Sequence, residues 1–261
     1  MPRPPARPRT GVDFATGWAR RYPARVARAA LLDGVTRPLV HALASPTIDG
    51  LDRLESLVAP AIFAANHASH VDTPLVLTAL PERFRHRTAV AAAADYFFDK
   101  RWKATFHALT INAIPVERRR ASPQSTRLSA ELLAGGWSLI IFPEGGRSPD
   151  GWARVHEAGT AYLAVRNGVP VVPIHIEGTR RVLKKGAKGL RPSTTTVTFG
   201  SPLRPDPGEG TRQFSARIER QIAVLADEAL CGFWEARRRA AAGTTPALTG
   251  PPAVAWRRSW E

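Results

Sequence analysis

The sequence of 261 residues has a single cysteine, Cys231, so no disulfide can close within the chain and no zinc site can rest on several thiolates. It has no uninterrupted apolar stretch approaching the roughly 20 residues that a membrane-spanning helix requires. Its first residues also lack the apolar centre of a secretory signal. A serine nucleophile is missing as well: Gly136-Trp137-Ser138-Leu139-Ile140 has no second glycine after its serine and so encodes no nucleophile elbow. Acids are scarce, with 22 against 37 lysines and arginines and a formal charge of +15. No zinc spacing, nucleic-acid module or aromatic-interleaved basic run accompanies that charge, which argues against a nucleic-acid partner. The excess is expected to meet anionic lipid, at about 1 kcal/mol per basic group near such a surface, or to reflect an arginine-rich composition with no partner. Together these absences predict a peripheral protein on the cytoplasmic side of the cell membrane.

What is present is a series of apolar runs that each end in a polar cluster. Ala61-Ile62-Phe63-Ala64-Ala65 leads into Asn66-His67-Ala68-Ser69-His70-Val71-Asp72, which reads as a buried strand with a site at its carboxyl end. Five residues of helix rotate by about 500°, so His67 and Asp72 would not share a helical face. A strand-to-helix turn brings them together instead. With Asp72 or Thr73 as the cap and Pro74 in the first turn, a helix runs through Leu75 to Leu80. Folded back on the Asp72 carboxylate, His67 would have one ring nitrogen fixed as a donor and the other able to take a proton from a hydroxyl. Taken alone, the fragment fits a plain helix cap and a loop histidine equally well.

Three further blocks follow. Ile111-Asn112-Ala113-Ile114-Pro115-Val116-Glu117-Arg118 ends in a cation, Ser138-Leu139-Ile140-Ile141-Phe142 feeds Pro143-Glu144-Gly145-Gly146-Arg147-Ser148, and Gly168-Val169-Pro170-Val171-Val172-Pro173-Ile174-His175 is a strand bracketed by prolines. In order and spacing the four blocks, from about Ser56 to Ser201, resemble the glycerolipid acyltransferases of the 1-acyl-sn-glycerol-3-phosphate acyltransferase (PlsC-like) type. The resemblance implies His67 as catalytic base with Asp72 as its partner. It implies Arg118 on the acceptor's phosphate, and Glu144, Gly145 and Arg147 in an acceptor-binding loop. There a guanidinium can grip phosphate oxygens in pairs while glycine admits the backbone closely.

The implied activity is direct transfer of a fatty acyl group from a thioester, on coenzyme A or an acyl carrier protein, to the hydroxyl of a lysophosphatidic-acid-like acceptor in phospholipid biosynthesis. No cofactor or metal is implied. Three residues depart from the family pattern. Gly146 stands where threonine is common, Glu117 replaces aspartate before the arginine, and Glu157 occupies a position where many members carry lysine, with His156 beside it. The reversed charge at Glu157 opens alternatives for the acceptor: a glycolipid, an amino-acid lipid or glycerol-3-phosphate. A non-catalytic membrane-binding relative is the other alternative, and the joint presence of His67, Asp72, Glu144 and Arg147 argues against it.

Strands near Ile62, Ile114, Ile140, Val172 and Val197 alternate with helices around Leu75–Leu80, Arg101–Leu109, Ser125–Leu133 and Thr160–Val165. That rhythm predicts a single α/β domain with a mostly parallel central sheet flanked by helices and ligands beyond the strands' carboxyl ends. The expected boundaries are a disordered basic tail over 1–12, an amphipathic membrane-associating helical segment over 13–48, the catalytic domain over 49–240 and a tail over 241–261. A long helix is expected from Arg212 to Arg239, and Trp256-Arg257-Arg258-Ser259-Trp260 has the composition of a bilayer interface. Ala89 to Ala94 with Tyr96-Phe97-Phe98 can line an acyl groove, although such a stretch is more often ordinary packing.

Overall fold

A computed structural model describes residues 10–117, 123–184, 186–187 and 189–249. Arg118, the basic tail over 1–9 and the tryptophan-arginine terminus lie outside the described residues. Seven strands form one sheet: Pro46–Asp49 (β1), Ile62–Ala65 (β2), Thr88–Ala93 (β3), Ala113–Val116 (β4), Ser138–Ile141 (β5), Val171–Glu177 (β6) and Thr195–Phe199 (β7), in the order β1-β7-β6-β2-β5-β3-β4. β6, β2, β5, β3 and β4 run parallel, and β7 reverses direction against β6.

The helices are Tyr22–Leu31 (α1), Arg37–Ala44 (α2), Asp72–Ala79 (α3), Glu82–Arg85 (α4), Ala94–Phe97 (α5), Arg101–Ile111 (α6), Pro123–Ala134 (α7), Gly159–Asn167 (α8), Thr179–Val182 (α9), Thr211–Cys231 (α10) and Phe233–Ala242 (α11). They cover both faces of the sheet, which is why the central strands read as continuous apolar runs. Alternate residues of β2 point to opposite cores. Phe63 and Ala65 pack with Leu75, Leu80 and Phe84, and Ile62 and Ala64 pack with Leu132, Phe214 and Ile222. The α/β architecture with a mostly parallel sheet is the one expected.

Several expectations change. The N-terminal segment is helical, α1 joining α2 through a π-helical turn over Leu32–Thr36, but it is welded to the domain. Leu32, Val40 and Ala44 enter the main core, and Asp33 takes hydrogen bonds from Arg85 at 2.7 Å and contacts His86 at 3.1 Å. The expected boundary after residue 48 cuts through β1, which pairs with β7. Residues 10–12 are not a loose tail either, since the Gly11 amide donates to the Phe98 carbonyl at 2.7 Å. The long helix expected to reach Arg239 is broken at Gly232, where φ is +85° and ψ 163°, a conformation that L side chains rarely adopt. The tail expected from residue 241 starts later, because α11 ends at Ala242.

Candidate active site

The carboxyl ends of β2, β3, β4 and β5 share one edge of the sheet, and the loops leaving them surround a cavity of about 680 Å³. β2 delivers His67. Beyond it the chain turns at once: the Asp72 amide donates to the Ser69 carbonyl at 3.3 Å, and Asp72 is the first residue of α3, with Val71 flanking it. Asp72 therefore does not cap its own helix as expected. Its carboxylate turns backward, and Oδ2 accepts from the Ala68 amide at 2.7 Å, the Ser69 amide at 2.8 Å and His67 Nδ1 at 2.8 Å. Pro74 sits in the first turn, where no amide hydrogen is needed.

Asp72 is fully buried, so its charge is tolerated because donors converge on it. With Nδ1 donating to an acid, Nε2 of His67 is the acceptor nitrogen. The imidazole stacks on Phe142, ring centroids 4.1 Å apart and planes 22° from parallel, and the residue lines the cavity.

Glu144 stands elsewhere than its expected role requires. Its side chain is buried, and its two oxygens accept from the backbone amides of His67 at 2.8 Å and Arg154 at 2.9 Å. It lines a separate, smaller cavity behind the loop. Burial raises its pKa above the ordinary carboxylate range, and the two amide hydrogen bonds oppose that shift. Glu144 thus braces the histidine loop and does not face the cavity that would hold an acceptor. The Ser148 amide completes the brace by donating to the His67 carbonyl at 2.8 Å.

The backbone amides of residues 67, 68 and 69, nearest the histidine ring, are engaged by Glu144 and Asp72 and are therefore not available to hold an oxyanion.

Gly145 and Arg147 do line the main cavity, Arg147 half-buried and Gly145 with φ +65°. Glu117 and Glu157 line the same cavity; His156 does not, and burial lowers its pKa to about 4, so it supplies no cation in place of the lysine. The alanine stretch turns out to be strand β3, whose Ala91 and Ala93 line the cavity together with Tyr96 and Phe97, while Phe98 is wholly buried in a different cluster.

His70, not among the expected site residues, also lines the cavity. It stacks on Tyr96, with ring centroids 5.7 Å apart, and sits edge-on to Phe97. Burial, followed by the nearby Arg147 charge, lowers its pKa to about 4, so it presents a neutral ring to the cavity. Its place inside the histidine motif was the available signal. Asn66 was also unassigned. It clamps β2 to β6, donating to the Ile176 carbonyl at 2.9 Å and accepting from the Ile176 amide at 2.7 Å.

A histidine oriented by a buried acid, in the lining of a cavity shared with Arg147, is an arrangement that can take a proton from a hydroxyl. The chain belongs to the Acyltransferase family, whose model matches residues 46–177. It is 30% identical over 193 residues to the 1-acyl-sn-glycerol-3-phosphate acyltransferase of Cocos nucifera, a match covering 71% of this chain and 59% of that protein. It is also 30% identical over 145 residues to the chloroplastic 1-acyl-sn-glycerol-3-phosphate acyltransferase LPAT1 of Arabidopsis thaliana, covering 55% of this chain and 39% of that one. The chain thus spans well under two thirds of either relative's length. Its fold is similar to the crystal structure of the 1-acyl-sn-glycerophosphate (LPA) acyltransferase PlsC from Thermotoga maritima, with a TM-score of 0.61, 24% identity and coverage of 78% of this chain and 82% of that one.

Proposed function

We propose that this protein transfers a fatty acyl group from a thioester to the hydroxyl of a lysophosphatidic-acid-like acceptor, as a step of phospholipid synthesis. The observation that carries the reading is the 2.8 Å contact between His67 Nδ1 and Asp72 Oδ2, made by a ring that lines the 680 Å³ cavity. His67 Nε2 takes the hydroxyl proton as the acceptor oxygen attacks the thioester carbonyl. The new C–O bond forms, the C–S bond breaks, and the proton passes to the departing thiolate. Asp72 holds the imidazolium that exists between those two transfers. Arg147 grips the acceptor's phosphate, and the wall made by Ala91, Ala93, Tyr96 and Phe97 takes the acyl chain.

The membrane-facing surface in this reading is the N-terminal helical segment together with α6. Tyr22, Val26, Val35 and Leu39 are exposed there, as are Trp102 and Phe106, and Leu31 and Phe106 also line the cavity. Apolar and aromatic side chains at a cavity mouth suit delivery of substrates from a lipid surface. Among the described residues no helix is long and apolar enough to cross a membrane; the attachment proposed is peripheral, to anionic lipid on the cytoplasmic side.

Glu117 and Glu157 in the cavity lining favour a second reading, in which the same chemistry acts on an acceptor with less negative charge, such as a glycolipid. The test pairs acyl-coenzyme A and acyl carrier protein thioesters with lysophosphatidic acid, glycerol-3-phosphate and lysoglycolipids, and identifies the products by mass spectrometry. Phosphatidic acid is the expected product. Acylation of a glycolipid alone would select the second reading, and no transfer to any hydroxyl would end both.

A further inference from the structure

A second concentration of charge lies on the opposite edge of the sheet. Arg87, Asn112 and Trp137 directly precede β3, β4 and β5, so they mark the amino ends of strands whose carboxyl ends face the cavity. Against this edge packs the start of the N-terminal helical segment with Arg20, Arg25 and Arg28.

Arg28 is 3% exposed, and the partner of its Nη1 is a neutral oxygen, the Ala19 carbonyl at 2.8 Å. Arg20 likewise meets neutral oxygens, Thr16 Oγ1 at 3.2 Å and Asn112 Oδ1 at 3.4 Å. Arg25 and Arg87 each lie over the Trp137 ring, 5.7 Å and 5.9 Å from its centroid, and Arg25 Nε is buried without a hydrogen-bond partner. Among the described residues none of these four arginines forms an ion pair with a carboxylate. Elsewhere the chain does pair its arginines, as in Arg217 with Glu209 and Arg239 with Asp227.

A buried guanidinium without a counter-charge is unfavourable, and two like charges beside it make it more so. Burial, followed by the charges of Arg20 and Arg25, lowers the Arg28 pKa to about 10. Carbonyls and an indole face compensate only in part.

We propose that Arg20, Arg25 and Arg28 form a binding site for a phosphate-type oxyanion, separate from the cavity that holds His67. Arg20 and Arg25, both half-buried, reach the anion. Arg28 adds its charge from behind. The oxyanion can arrive in two ways: as free phosphate, or carried on an anionic lipid, since Tyr22 and Val26 stand 77% and 51% exposed on the same helix as Arg25. The site does not depend on the acyl-transfer reading and stands if that reading fails.

The full chain is tested in two assays. Thermal unfolding is followed in inorganic phosphate and in potassium chloride of equal ionic strength, and co-sedimentation is measured with vesicles of phosphatidylcholine alone and with added phosphatidylglycerol. The variant is R20Q with R25Q. The control is R212Q with R220Q, which removes the same charge from exposed positions of α10. Wild type is expected to gain from phosphate, from phosphatidylglycerol or from both. The variant should lose that gain, with anion affinity falling at least about tenfold, while the control changes by less than about twofold. Loss of the phosphate response assigns free oxyanion as a ligand, and loss of the phosphatidylglycerol response alone assigns a lipid-borne one. Equal losses in variant and control would overturn the site. So would a wild type indifferent to both anions, a result that requires no variant to fold.

Discussion

Two buried charges at opposite edges of one sheet are handled in contrary ways. Asp72, at the carboxyl edge, is 0% exposed and has donors from His67, Ala68 and Ser69 converging on one oxygen. Arg28, at the amino edge, is 3% exposed, leans on one carbonyl and has two cations for neighbours. The first charge meets three donors of its own chain on Oδ2, though its Oδ1 is buried without a partner, and the result is a fixed histidine tautomer. The second is left short of a counter-charge, and the result is an attraction for something outside the chain. Burial alone therefore does not say what a charge is for; the identity of its partners does.

The comparison can be broken most forcefully at its catalytic end. His67→Ala removes the base and leaves the Asp72 amide contacts in place, so turnover should fall at least about a hundredfold with circular dichroism unchanged. Wild-type transfer by that variant would dissociate the buried acid from any chemistry. Asp72→Asn tests whether the charge is structurally compensated. An amide puts donor hydrogens into a pocket already supplied with donors, so unfolding free energy in urea should drop by about 2 kcal/mol, and turnover should fall with it. Unchanged stability would mean that the convergent amides do not need the carboxylate.

Arg147→Ala should raise the Michaelis constant for the acceptor about tenfold and leave that for the thioester nearly as it was. Equal changes in both would remove Arg147 from the acceptor. The smallest effect is expected at the other edge. Arg28→Met exchanges an uncompensated charge for a shorter, unbranched apolar chain, and stability should stay within about 1 kcal/mol of wild type or rise. A loss as large as that of Asp72→Asn would show Arg28 to be fully compensated and would erase the contrast.

How much of this was readable from sequence depends on the residue. Five strands announced themselves as apolar runs, and β2 with its His67 loop could be placed at a strand's carboxyl end because a buried strand must give way to polar residues where it leaves the core. β3 was harder. Thr88-Ala89-Val90-Ala91-Ala92-Ala93 is poor in strand-favouring residues, and it is a strand because β4 and β5 flank it. β1 is four residues long, begins with proline and is alternately half-buried and exposed, which leaves little periodic signal. Glu144 misled for a different reason. Its motif places it beside the acceptor loop, but a carboxylate among buried amides turns toward the donors it finds there.

The chain's own order of residues determined the α/β alternation, which follows from local periodicity, and brought His67 within reach of Asp72 through a short turn; the catalytic pairing of the two and the place of Arg147 were implied by the family resemblance. Only the packed structure decided that Glu144 braces the loop, that the amides of residues 67 to 69 are already spent, that His70 is a neutral wall of the cavity and that Arg28 lies buried among like charges. Those outcomes depend on which distant groups meet in a low-dielectric interior. Hydrogen-bond partners there come from segments as much as 151 residues apart, as the buried pair Thr195 and Ala44 are, and no local window of sequence contains both partners.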